Sequence, residues 1–176
     1  MKKTVLIFGS IAGIIISSFM AVSAAFMSKN PNFDLGMVIG FTSMLVAFSF
    51  VFIGIKNFRD KYNDGVISFG KSFKAGFLIS LIASSFYVGV WAIEYHFFIP
   101  DFMEKYAEHI IAGISKSGAS AEEIAKQTAA MMDNKEMYKN PLFFTLITYS
   151  EVLPVGILVT LISSFILKRK EKKTAG

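Results

Sequence analysis

The stretch Tyr149-Ser150-Glu151-Val152-Leu153-Pro154-Val155-Gly156 puts a carboxylate, a proline and a glycine in the middle of the apolar run 142–167. That run is long enough, at about 1.5 Å per helical residue, to cross a hydrocarbon core of roughly 30 Å. An acidic side chain at membrane depth costs roughly 2.5–3.5 kcal/mol on insertion scales, so Glu151 is expected to face protein or water rather than lipid. Pro154 has no amide proton for the Ser150 carbonyl, so a bend is expected beside the charge. Glu151 and Pro154, joined by Glu94 from an earlier apolar run, form the candidate intramembrane polar site.

Outward from this run the whole chain keeps the same character. Its 176 residues are 53% hydrophobic and only 18% charged, outside the usual balance of a soluble domain and typical of an integral membrane protein. There is no cysteine, which excludes disulfides, thiolate metal sites and cysteine nucleophiles. The net charge of +5 is gathered at the ends of apolar runs, where membrane lipid headgroups account for it and nucleic acid is not needed.

Four spans are predicted within a single membrane domain, residues 1–176: about 4–27, 35–55, 73–99 and 142–167, with a helical insert at 100–140. The first span follows Met1-Lys2-Lys3 and has a rival reading as a cleaved signal. Its apolar stretch exceeds the ~7–15 residues usual there, which favours an uncleaved helix. Ser28, Lys29, Asn30, Pro31 and Asp34 mark the first turn, and Asn63-Asp64-Gly65 marks a second. Phe69, Phe73 and Phe77 recur every fourth residue where the third span begins. In the insert, Phe102, Met103, Tyr106, Ile110 and Ile114 recur at helical spacing. Ser120 with Glu123 is a capping-box signature for a second amphipathic helix, with Ile124, Met131 and Met132 on one side. Pro141 suits the first position of the last helix.

Lys and Arg set the orientation. Lys56, Arg59, Lys61, Lys71 and Lys74 crowd the connection between spans two and three, and Lys168, Arg169 and Lys170 follow span four. All are expected to contact cytoplasmic lipid headgroups, which places both termini in the cytoplasm and the insert outside. Trp91 and Tyr95 are expected at the outer interface.

Each span also carries small residues at helical spacing, the usual means of close backbone approach in lipid. They are Gly9, Gly13, Ser17, Ala21 and Ala25 in the first span, and Gly36, Gly40, Ser43 and Ala47 in the second. Gly76, Ser80 and Ser84 follow in the third, and Gly156, Thr160 and Ser164 in the fourth. The pattern predicts a tight four-helix bundle rather than a roomy channel. At about 100° per residue Glu151 and Thr160 lie about half a turn apart, so the fourth helix is expected to meet protein on two sides. Glu94, Tyr87 or Trp91 would satisfy one side, and the stripe of span one or a second copy of the chain the other.

With these residues in view, the chain resembles a bacterial family of small membrane proteins known only as domain of unknown function 4199. The resemblance rests on Gly54-Ile55-Lys56 with Arg59-Asp60-Lys61-Tyr62, on residues Ile67-Ser68-Phe69-Gly70-Lys71-Ser72-Phe73-Lys74, and on Glu151-Val152-Leu153-Pro154-Val155-Gly156. It implies a four-helix bacterial membrane protein and brings no established activity.

No nucleophile constellation stands out, and no cofactor is expected. Glu94, His96, Glu108 and His109 lack the ligand spacing of zinc sites, so no metal is expected either. The leading expectation is an all-α, non-enzymatic component of the bacterial inner membrane, multi-pass, that serves packing or partner binding. A homo-oligomer or a membrane-protein partner fits that role. The alternative is a small proton- or ion-coupled transport component using Glu151. Reporter fusions test the topology: a fusion at Gly118 is expected to report the outer side and one at Gly176 the cytoplasm, and a cytoplasmic signal at Gly118 overturns the orientation.

Overall fold

The computed structural model describes residues 1–27 and 32–169. Among them are six α-helices: α1 (Lys2–Met27), α2 (Phe33–Tyr62), α3 (Phe69–Phe97), α4 (Phe102–Lys116), α5 (Ala121–Tyr138) and α6 (Pro141–Leu167). Helices α1, α2, α3 and α6 are long and apolar enough to cross a membrane. The all-helical architecture is the one predicted, with α4 and α5 as the insert. Lys170 and residues 28–31 and 171–173 lie outside the described residues.

Local chemistry sets the helix ends more sharply than hydropathy does. The second helix runs on to Tyr62, past the apolar limit near residue 55, because its termination is set by the turn. There Asp64 (φ 49°) and Gly65 (φ 75°) enter the left-handed region, and the Gly65 amide donates to the Arg59 carbonyl at 3.0 Å. Helix α3 starts at Phe69, earlier than residue 73, because the Ser68 hydroxyl accepts from the Lys71 amide at 3.4 Å. In the insert, the Ser120 hydroxyl accepts from the Glu123 amide at 3.2 Å. Asn140 accepts from Leu142 at 2.9 Å with Pro141 at the first helical position. Helix α6 continues through Pro154, which is exposed.

In the bundle, α1 packs on α2 and α3, and α6 packs on α3 and α2. Helices α3 and α6 approach closely. A methyl group placed on Gly156 would come within 2.8 Å of Ser80 Cβ and 3.0 Å of the Phe48 ring, and one on Gly76 within 2.7 Å of Thr160 Cγ2. The Ser80 hydroxyl donates to the Gly156 carbonyl at 3.2 Å and lies 3.2 Å from Thr160 Oγ1. Helix α1 meets α3 in the same manner, with Gly9 against Ile82 and Gly13 against Phe86. Around these contacts Phe48, Val51, Ile55, Ile79, Ala83 and Val152 form the buried core. Leu6, Ile14, Leu45, Ile53, Leu158 and Ile162 face outward, as lipid-facing positions require.

The insert is a helical hairpin. Lys135 of α5 pairs with Glu104 of α4 at 2.5 Å, and aromatic contacts hold the pair on the bundle. Phe102 lies against Trp91 at 4.9 Å between ring centroids and Phe33 at 5.8 Å. Tyr138 lies against Tyr95 at 5.6 Å and Phe144 at 5.3 Å. Trp91 and Tyr95, expected at the membrane interface, thus pack on protein.

Four expectations are corrected. The Gly156–Thr160 face of α6 meets α3 and Phe48, not the stripe of the first span. Within that stripe Ala21 and Ala25 are exposed. Gly40 has no neighbour within 4 Å of a Cβ position, so it is not a packing residue. Met132 points outward, 65% exposed, because the α5 face turned to the protein carries Ile124, Met131, Asn134 and Tyr138.

These contacts make opposite demands on two glycines. Gly156→Leu is expected to destabilise the bundle by at least about 2 kcal/mol, since overpacking at a backbone contact has nowhere to relax. Gly40→Leu is expected to change stability by less than about 0.5 kcal/mol, the usual range for substitutions that touch nothing. Thermal and denaturant unfolding of both variants in detergent checks this, and equal stability of the two would overturn the packing assignment.

Candidate functional site

At the hairpin end the bundle is not tight. A cavity of about 750 Å³ lies among residues of all six helices, with the hairpin contributing Phe102, Met103, Tyr106, Met131 and Asn134. Gly36, Gly40 and Ser43, spaced to share one face of α2, line it. Part of the face read as a packing stripe is therefore the wall of a cavity, while Ala47 of the same stripe is buried in the core. A volume of this size is in the range of small-molecule sites, which are mostly apolar with a few placed polar groups.

The polar groups come mainly from α3 and α6. Glu94 and Glu151 both line the cavity, as do Tyr87, Trp91, Tyr138 and Ser43. Their burial differs. Glu151 is exposed and borders the cavity, whereas Glu94 is only 5% exposed. Both Glu94 carboxylate oxygens are shielded and lack a hydrogen-bond partner among the described residues. The position is set by the end of α3, where the amides of Phe98 and Ile99 both donate to the Glu94 carbonyl at 2.9 Å. That shared acceptor marks the end of the helix one turn beyond Glu94. Pro154, one turn beyond Glu151, is not among the cavity residues.

Tyr138 was not visible as a site residue from the sequence. It ends α5 and is 8% exposed. Burial, with the nearby Glu151 charge adding to it, pushes its hydroxyl up to about 12, so it stays a neutral donor at physiological pH. An aromatic residue two positions before Asn140-Pro141, at the boundary of a polar insert and an apolar run, is the signal that marks it. Asn134 carried no such signal, being one polar residue on an amphipathic helix.

The basic residues at the opposite end are partly engaged by protein. Arg59, with its side chain 15% exposed, pairs with Asp60 at 2.6 Å and donates to the Leu167 carbonyl at 3.3 Å, capping the end of α6. Lys71 bonds the Asn63 side chain and lies 5.6 Å from the centroid of the Phe58 ring. Lys168 lies over the Phe165 ring at 5.0 Å. Lys56, Lys61 and Lys74 are exposed. Arg169 exchanges both backbone hydrogen bonds with Ile67, at 2.9 and 3.0 Å, tying the residues just after α6 to the α2–α3 turn. Two of the expected headgroup contacts, Arg59 and Lys71, are thus also internal ties.

The fold and cavity define a multi-pass membrane bundle with a carboxylate-bearing chamber under a helical hairpin. The chain belongs to the family described as "Protein of unknown function (DUF4199)", which matches residues 7–169. No curated protein and no solved structure matches it.

Glu94 is the residue at which stability and function are expected to conflict. A buried polar group without a partner costs about 1–3 kcal/mol, so Glu94→Leu is expected to raise unfolding stability by that order. Calorimetry or denaturant unfolding in detergent measures it. A clear loss of stability would mean that the carboxylate is satisfied within the fold.

Proposed function

We propose that this protein is a non-enzymatic binding component of the bacterial cytoplasmic membrane that holds a small molecule in the cavity beneath its hairpin. The observation that carries the reading is the 750 Å³ cavity itself, bordered by all six helices and containing the buried, unpartnered carboxylate of Glu94. A bundle needing only to pack would close this space with apolar side chains, as it does around Phe48. The distribution of Lys and Arg supports an orientation with both termini in the cytoplasm and the hairpin outside. In that orientation the cavity is reached from the outer side or from the lipid.

A second reading is favoured by the presence of Glu94 and Glu151 on one cavity: a proton- or ion-coupled transport component, for which intramembrane carboxylates are the usual carriers. The two readings separate experimentally. Native mass spectrometry of the full chain released from membranes is expected to show a retained small-molecule mass on the wild type. Gly40→Phe, which fills open space, is expected to lose it. Bare protein in both cases would overturn the binding reading, and proton flux in liposomes that disappears in Glu151→Gln would favour the second.

A further inference from the structure

We infer that the molecule this cavity takes is an organic cation with an apolar body, its charge met by Glu94 and its body lying among Trp91, Tyr87 and Phe102. The inference deepens the binding reading above and rests on it. Two acidic residues, Glu94 and Glu151, belong to the wall, and among the described residues no lysine, arginine or histidine lines it. An anionic or purely apolar occupant would leave a carboxylate that is 5% exposed, with neither oxygen hydrogen-bonded, in a largely apolar chamber without compensation. A cationic centre supplies what the fold withholds.

The rest of the wall selects what surrounds the charge. Trp91 and Phe102 stand edge to face with ring centroids 4.9 Å apart, and Tyr106 stacks on Phe102 at 5.8 Å. Aromatic faces attract cations, most strongly when both are out of water, and they are the usual wall of sites for quaternary ammonium groups. A bare metal ion fits less well. Calcium takes about six to eight oxygen ligands, whereas this chamber offers two carboxylates, the Asn134 amide and scattered hydroxyls across a space of about 750 Å³ whose remaining wall is mostly aromatic, aliphatic and methionine. Methionine side chains adapt to ligands of varied shape, and Met20, Met37 and Met44 line the α1–α2 side.

The chain carries its own reporter, because Trp91 is its only tryptophan and lies on the wall. The full chain in phosphatidylcholine nanodiscs is titrated with tetraphenylphosphonium and, separately, with tetraphenylborate, two ions of the same shape and opposite charge, with empty nanodiscs as the blank. A saturable change in Trp91 emission is expected with the phosphonium, at least tenfold weaker with the borate. Glu94→Gln is expected to weaken phosphonium binding at least tenfold, and Glu151→Gln by less. If Glu94→Gln does not fold, the comparison of the two ions on the wild type carries the test alone. Equal affinity for the two ions, or phosphonium affinity unchanged in both glutamine variants, overturns the cation assignment while leaving a binding cavity. No saturable response to either ion also overturns it, and the cavity reading then stands or falls on the mass measurement.

Discussion

The contact between Ser80 and Gly156 is the constraint on which the rest of the bundle depends. Lipid tails are as apolar as the helices, so no hydrophobic drive brings two spans together, and association rests on dispersion at close range and on hydrogen bonds between helices. The absence of a side chain at Gly156 lets α3 approach until the Ser80 hydroxyl reaches the Gly156 carbonyl at 3.2 Å and Thr160 at the same distance. Gly76 repeats the device one turn away, facing Thr160. With α3 held against α6 on one side, Gly9 and Gly13 seat α1 on another, and the large residues of α2, Phe48 and Ile55 above all, fill the space between.

The same constraint explains why a cavity exists at the other end. The buried small residues end on α3 at Ser84 and on α1 at Ser17, and beyond Ser84 the third helix carries Tyr87, Trp91 and Tyr95. Bulky rings keep helix backbones apart, and the space they leave is roofed by α4 and α5 instead of being closed by approach. The hairpin is held on the bundle by a few ring contacts, each worth about 0.5–1.5 kcal/mol beyond the area buried, while the exposed Lys135–Glu104 pair only joins its two helices and adds little. A roof fastened in this way sits at the low-stability end of the molecule, where elements that open for ligands are drawn from.

Glu94 fits this division of labour. A side chain that weakens the fold where it stands is informative because local rules and global packing otherwise agree along the chain, and departures from that agreement gather at functional positions. Glu151 differs physically. It opens onto the cavity and keeps access to whatever fills it, so it tunes the chamber's charge without the same cost of burial.

Much of this architecture was legible in the residues themselves. Four apolar runs, the Ser120 cap, the Pro141 start and the Asn63-Asp64-Gly65 turn are local statements, each made by a few neighbouring side chains and their own backbone, and no distant contact can move them far. The small residues at 76, 80, 156 and 160 likewise announced a face. What stands opposite a face is a different kind of information. A helical wheel shows that Gly36, Gly40 and Ser43 lie together, but only the packing of six helices decides that they border a cavity and that nothing approaches Gly40. It shows that Glu94 and Glu151 lie within spans, but only the roof laid by α4 and α5 decides which of them is buried. Periodicity is a property of one helix, whereas burial is a property of the gap between helices, and that gap is set by every side chain that borders it at once.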